Sequence, residues 1–472
     1  MNEKSVGISQ QTLVSNIDDR SVSAKKLPQY IASLSSTLGA LAAGMVLGWS
    51  SSAGPDGIYL QSNYGVPISP QEFSWMGSLT TLGAGAMCIP IGILADLIGR
   101  KNSMLLMVVP FTVGWLCVIC ANSVLLFYIG RFITGVASGA FCVAAPMYTT
   151  EISESSIRGS LGSYFQLLLT VGILLSYIFG SFVDMFVLSI ISAMAPLVFF
   201  VIFMFMPETP LYYLMKGNED AAKKSLTKLR GARYNVDSEL QKQREIMEEN
   251  KRNKVSFSTM IKSKVTIKGF VIGYGLMIFQ QFCGVNVVIF YTTEIFEKAG
   301  SDIKPHICVI IIGVMQTVSV FVSTLVVDRL GRRILLLASA IFLFLSTFAL
   351  GVYFYLQDIK SDVESFTWLP LVCLSVFTIM FSMGFGPLPW MMMGEIFAPE
   401  VKSVAASSAG LLNWLMAFIV TKFFADLKLS LGMGGVFWLF SGLSAIAIFF
   451  VYILVPETKG KSLDEILRDL SN

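Results

Sequence analysis

Twelve stretches of this 472-residue chain contain no Asp, Glu, Lys or Arg, and they restrict its fold more than any other feature. They are 27–55, 73–95, 102–130, 132–150, 159–183, 185–207, 269–293, 305–327, 334–357, 365–394, 403–421 and 429–456, the shortest being 19 residues long. A bilayer core ~30 Å thick is crossed by ~20 apolar residues of helix. Lipid offers no partner to an exposed backbone N–H or C=O, so such runs cross it only as helices. The reading is an all-α polytopic membrane protein with twelve transmembrane helices. Composition agrees: the chain is 54% hydrophobic and 14% charged, where a soluble domain carries about 25% charged residues. A net charge of +3 is too small to imply a nucleic-acid partner. The polar segment 1–26 lacks the basic-then-apolar pattern of a cleaved signal, so the first run is expected to anchor the mature protein.

Twelve crossings bring both termini to one side. On that side fall 28 of the 34 Lys and Arg residues, while Lys298, Lys304, Lys360, Lys422 and Lys428 fall on the other and Arg131 lies within a span. Basic loops stay inside, so both termini are expected in the cytoplasm of a cell-membrane protein. The seven cysteines show no paired spacing, and His306 is the only histidine. No metal site, cofactor or catalytic group is therefore expected, and the chain does not read as an enzyme.

The polar segment 208–268 separates six runs from six. It divides the chain into a tail (1–26), an N-terminal bundle (27–207), a cytoplasmic loop with short helices at 218–229 and 238–251, a C-terminal bundle (269–456) and a tail (457–472). The bundles echo each other. Asp96-x-x-Gly99-Arg100-Lys101 returns as Asp328-x-x-Gly331-Arg332-Arg333, 232 positions later. Glu151 and Arg158 return as Glu395 and Lys402 at an offset of 244, and Pro207-Glu208-Thr209 as Pro456-Glu457-Thr458 at 249. Three motifs in one order on one face indicate two pseudo-symmetric six-helix halves, with substrate held between them near the midplane.

Glycine permits a tight reversal between spans, and arginine forks bind carboxylates bidentately. Asp96, Arg100, Glu151 and Arg158 are expected to form one cytoplasmic charge latch, and Asp328, Arg332, Glu395 and Lys402 its twin. Inside the spans lie Gln166, Gln280, Gln281, Asn286, Gln316, Trp390 and Asn413. Amides donate and accept hydrogen bonds as hydroxyls require, and an indole stacks on a sugar face. An ionic substrate would call for intramembrane charge instead. Two glycines and two prolines within Gly384-Phe-Gly386-Pro387-Leu-Pro389-Trp390 break the helical ladder, so Gly386, Pro387 and Pro389 are expected to act as a hinge.

From about residue 30 to its end, the chain resembles the sugar porters of the major facilitator superfamily. The resemblance rests on Gly99-Arg100-Lys101, Gly130-Arg131, Pro207-Glu208-Thr209, Gln280-Gln281-x-x-Gly284-x-Asn286, Gly386-Pro387-x-Pro389-Trp390, Glu395, Asn413-Trp414 and Pro456-Glu457-Thr458-Lys459-Gly460. It implies that Gln166, Gln280, Gln281, Asn286, Trp390, Asn413 and Trp414 line a sugar site, and that the halves rock without covalent chemistry. The stretch 48–55 is similar to that of insect facilitated trehalose transporters and their hexose-carrying relatives. Proton-coupled members carry an aspartate in the first span, whereas here 27–55 is uncharged and leaves Arg131 without that partner. Lys402 replaces the family's arginine, and Gln316 stands where relatives often have asparagine. The expected function is uniport of a neutral sugar, trehalose or a hexose such as glucose, through a lipid bilayer. The alternatives are a proton–sugar symporter and a non-transporting sensor; the short segment after Val455 counts against a sensor.

Overall fold

The charge-free runs fold as helices. The computed structural model describes residues 23–154, 156–252, 263–300, 303–397, 399–461 and 463–471. The first span is Leu27–Ser52. The second is a pair, Pro70–Met87 and Pro90–Ile98, bent by 47° where Pro90 cannot donate to the ladder. Arg100–Ile119, Val124–Ile152, Arg158–Phe182 and Met185–Phe203 complete the N-terminal half. The seventh span is Lys264–Phe282 followed by Val285–Ala299, parted at Gly284. Pro305–Leu330 and Arg332–Asp358 follow, and the tenth span is Leu369–Met383 and Leu388–Glu395, interrupted at the predicted Gly-Pro segment.

The last apolar element is written as one helix, Pro399–Leu454, of 56 residues. Straight, it would measure ~84 Å, nearly three times a ~30 Å hydrocarbon core. It is not straight: Gly432 adopts φ 72° and ψ 169°, a conformation open to glycine. Before the break, Leu411 and Trp414 lie against Gly85 of the second span; after it, Gly434 and Trp438 lie against Gly351 of the ninth. The element is therefore two spans. Ten long apolar helices, eleven with the bent pair, become the twelve expected crossings once it is divided.

The loop between the halves carries Pro210–Met215, Glu219–Arg230 and Val236–Arg252. Arg230 seats them on the N-terminal half. Its guanidinium donates to Glu239 at 2.9 and 3.1 Å and to the Ile152 carbonyl at 2.8 Å, while the Lys25 amide donates to the Arg230 carbonyl at 2.8 Å.

Helices in lipid gain little from hiding apolar side chains from one another, so small residues and close contact hold them. A Cβ on Gly44 of the first span would lie 2.0 Å from the Leu169 carbonyl oxygen and 3.0 Å from the Gly172 Cα of the fifth. Large apolar side chains such as Phe182, Leu97 and Ile453 point outward instead, where lipid receives them. Gly44→Val therefore drives the first and fifth spans apart. We expect a loss of about 1–3 kcal/mol, the usual cost of overpacking a tight contact, read as a lower unfolding temperature in detergent than that of Gly442→Val, whose site is open.

Candidate functional site

Four of the sequence-predicted amides form one buried network. The Asn413 amide donates to Gln280 Oε1 at 2.7 Å, the Gln281 amide donates to Asn413 Oδ1 at 3.0 Å, and the Asn286 amide donates to Gln281 Oε1 at 2.5 Å. The break at Gly284 (φ 89°) makes this possible. On an unbroken helix Gln281 and Asn286 would point about 140° apart; here the turn brings them together. Gln280 reaches further, donating to the carbonyls of Phe385 and Gly386 at 2.6 and 2.8 Å. Pro389 has no N–H to offer the Phe385 carbonyl four residues back, so a side chain of the seventh span satisfies the interruption in the tenth.

Around this network the remaining candidates take separate places. Gln316 is buried and lines a narrow pocket bounded also by Tyr177, Val288, Thr378 and Phe381. Trp390 is 41% exposed, and its indole lies beside Gly410, where the second span's Cys88 also approaches. Trp414 packs against Gly85 through its Cβ, and its buried indole N–H has no hydrogen-bond partner among the described residues. Gln166 is half-buried on the fifth span. Gly386, Pro387 and Pro389 occupy the break between the two helices of the tenth span, or the first turn after it.

Arg131, fully buried on the fourth span, is not orphaned. It donates to the carbonyls of Val46 at 2.9 Å and Met76 at 3.3 Å and to the Ser50 hydroxyl at 2.7 Å, and its guanidinium lies 4.9 Å from the Trp49 ring. Each of these groups is neutral.

The charge clusters assemble in both halves, with a change of membership. In the N-terminal half Arg100 pairs with Asp96 and with Glu151, each at 2.9 Å. In the C-terminal half Arg332 pairs with Glu395 at 3.2 Å, and the Thr458 hydroxyl donates to the other oxygen of Glu395 at 2.6 Å. Arg158 does not join: it donates to the nearby Ser153 carbonyl at 3.3 Å and makes no ion pair among the described residues. Its guanidinium turns back onto the carbonyl five residues before it. The side chains of Asp328 and Lys402 lie outside the described residues. Both clusters tie spans of their own half to each other.

Glu208 and Glu457, quoted only as part of the Pro-Glu-Thr motifs, complete the clusters. Glu208 accepts the backbone amides of Arg100 at 3.1 Å and Lys101 at 3.0 Å. Glu457 does the same for Arg332 at 2.9 Å and Arg333 at 3.1 Å. A carboxylate thus caps the N-terminus of the third and of the ninth span. Gly99 and Gly331 are required here: their φ values are 102° and 94°, and a Cβ would meet the carboxylates at 2.2 and 2.8 Å. The two caps differ in charge balance. Burial raises the Glu208 carboxyl above its ordinary value despite the amides of Thr209, Lys101 and Arg100. For Glu457 burial also pushes upward, but the amides of Lys459, Arg332, Arg333 and Thr458 outweigh it and hold the carboxyl below 4.5.

Hydrogen bonds between the halves run along the side opposite the charge clusters. Ser51 bonds Thr293 at 3.1 Å, Ser74 donates to the Lys422 carbonyl at 2.6 Å, and Tyr177 donates to the Ile289 carbonyl at 2.8 Å. Trp75 and Phe418 pack with ring centroids 6.0 Å apart. On that side the two halves touch.

Residues 31–470 match the family model described as sugar (and other) transporter. The chain is 37% identical over 447 residues to the facilitated trehalose transporter Tret1 of Culex quinquefasciatus, covering 94% of this chain and 86% of that protein. It is 39% identical over 447 residues to Tret1 of Drosophila yakuba, covering 94% and 52%, and 37% identical over 446 residues to Tret1 of Anopheles gambiae, covering 94% and 56%. It thus spans about half the length of several curated relatives that it matches. Among solved structures, the proton:xylose symporter XylE bound to 6-bromo-6-deoxy-D-glucose is 24% identical with a TM-score of 0.76, covering 94% of this chain and 99% of that one. XylE from E. coli in its inward-open conformation is 23% identical with a TM-score of 0.77, covering 92% and 98%. These two share the fold.

The depressed Glu457 carboxyl gives a pH test. A group held below its unfolded value contributes stability above that value and loses it as pH falls through the folded one. Glu457→Gln should lower the unfolding temperature at pH 7, and the difference from the parent should shrink once pH falls below 4.5. A difference that persists unchanged into that range removes the capping role.

Proposed function

This chain belongs to the sugar transporter family, and on that premise we propose that it carries a neutral sugar across the plasma membrane by facilitated diffusion. The substrate is trehalose or a hexose such as glucose, and both termini lie in the cytoplasm. The observation that carries this reading is the Gln280–Asn413–Gln281–Asn286 network. Every member can donate and accept, so a polyhydroxylated ligand can take over its bonds one for one without a charge being left unpaired. Trp390 offers an accessible indole face nearby. Gln166, Gln316 and Trp414 supply the further polar and aromatic surface.

Uniport is supported by Arg131. The guanidinium is satisfied by two carbonyls and a hydroxyl, and the first span that surrounds it has no acid to load with a proton. The charge clusters act as braces: each keeps the cytoplasmic ends of its own half in register, so that the halves rock as bodies about the site. Gly386, Pro387 and Pro389 give the tenth span its freedom to bend.

Uptake of labelled trehalose and glucose into proteoliposomes tests the assignment. Saturable counterflow without dependence on a pH gradient is expected, and Gln281→Ala should weaken half-saturation roughly tenfold, the effect of about one lost hydrogen bond. Accumulation driven by a proton gradient would make the chain a symporter, and absence of both fluxes would end the sugar reading. Neutralising the second brace with Glu395→Gln should loosen the C-terminal half, measured as a lower unfolding temperature in detergent than the parent's. An unchanged unfolding temperature would reduce the brace to a topology signal.

A further inference from the structure

One contact between the halves is ionic and lies at the outer rim. Lys428, near the outer end of the eleventh span, donates to Glu294 of the seventh span and, at 3.0 Å, to Asp56 in the loop after the first. Glu294 and Lys428 belong to the C-terminal half and Asp56 to the N-terminal half. The Lys428 side chain is 9% exposed and that of Glu294 1%, so their bridge holds the ammonium in place within the C-terminal half, and Asp56, 39% exposed, meets it from across the seam. One turn further along, the Tyr59 hydroxyl donates to Glu297 at 2.8 Å, again from the N-terminal half to the seventh span.

Two independent features mark this contact as one that opens. Asp56 holds a left-handed backbone conformation, φ 49° and ψ 23°, that residues other than glycine seldom adopt. The second oxygen of Glu294 is buried without a hydrogen-bond partner among the described residues. Both strains belong to the closed arrangement: parting the seam hydrates Glu294 and frees the loop at Asp56. A bridge built only for stability would satisfy its carboxylate fully. The charge set facing Lys428 (Glu294 and Asp56, with Lys298 at 3.6 Å from Glu294) also has no place in binding a neutral sugar.

We propose that Lys428, Glu294 and Asp56 form an ionic lock that positions the outer half of the seventh span, Val285–Ala299, and sets the balance between outward-open and outward-closed carriers. The helix it grips is free to move as a unit, since Gly284 separates it from Lys264–Phe282 and Tyr291 interrupts its regular geometry at φ −121°. These are positioning residues; the sugar is met by the amides below. The lock rests on the alternating-access reading above, and its test needs no sugar.

A reporter thiol measures the lock directly. Ser51 is 1% exposed in the closed seam, so Ser51→Cys, on a Cys120→Ser background that removes the exposed native thiol, reports opening to a membrane-impermeant maleimide added outside. Lys428→Ala and Asp56→Asn, which remove the two sides of the pair that crosses the seam, should each raise the labelling rate, by about tenfold for a shift of one decade in the open population. The double variant should raise it no further than Lys428→Ala alone, because both changes break one bridge. Should Lys428→Ala fail to reach the membrane, Asp56→Asn, nearly isosteric, carries the measurement. Labelling unchanged in the single variants overturns the lock. Effects that add in the double variant also overturn it, because the two sites then act independently.

Discussion

A carbonyl oxygen without a partner in hydrocarbon costs several kcal/mol, and the tenth span creates such a carbonyl at Phe385 by placing Pro389 four residues later. The debt is met by Gln280, from another helix. That bond fixes one end of the amide network, and Asn413, Gln281 and Asn286 follow from it in sequence. The same polar groups that allow the helix to be broken are those offered to a ligand. Irregular backbone at membrane depth is tolerated where side chains satisfy it, and there a polar site can be built inside a protein whose exterior must be apolar.

The face that carries the charge clusters obeys a related rule. The first amides of the third and ninth spans have no helical acceptor, and each is met by a glutamate arriving from the end of the sixth or twelfth span. Lys101 and Arg333 return the favour by donating to the carbonyls of Met204 and Tyr452 at those same ends. Each half is thereby closed on itself by reciprocal caps, with an arginine–glutamate pair beside them. Rigid halves leave relative motion to the interface, where the contacts are hydroxyls, rings and the Lys428 bridge.

Much of this was legible in the residues. Charge-free runs gave the spans, because a bilayer penalises every charge they omit, and repeated motifs gave the two halves. The Gly-Pro interruption and the amides of the seventh span were visible as exceptions to an apolar pattern. Arg158 was misjudged, since spacing from Glu151 says nothing about which way its guanidinium turns. Glu208 and Glu457 were seen as motif letters without a role, because their partners are backbone amides, which no sequence distinguishes. Asp56, Glu294 and Lys428 went unnoticed for a plainer reason. Each is the charge that ends an apolar run, and as run boundaries they looked alike.

What the sequence determined by itself was the solvent: hydropathy and charge are local properties, and they mark which segments lie in lipid. The tertiary structure decided which polar groups meet. Gln280 and Phe385, Arg100 and Glu208, and Lys428 and Asp56 are separated by about a hundred residues or more. Their pairing depends on helix packing through contacts such as Gly44 on Leu169, where ångström-scale fit between backbones, not residue type, selects the neighbour.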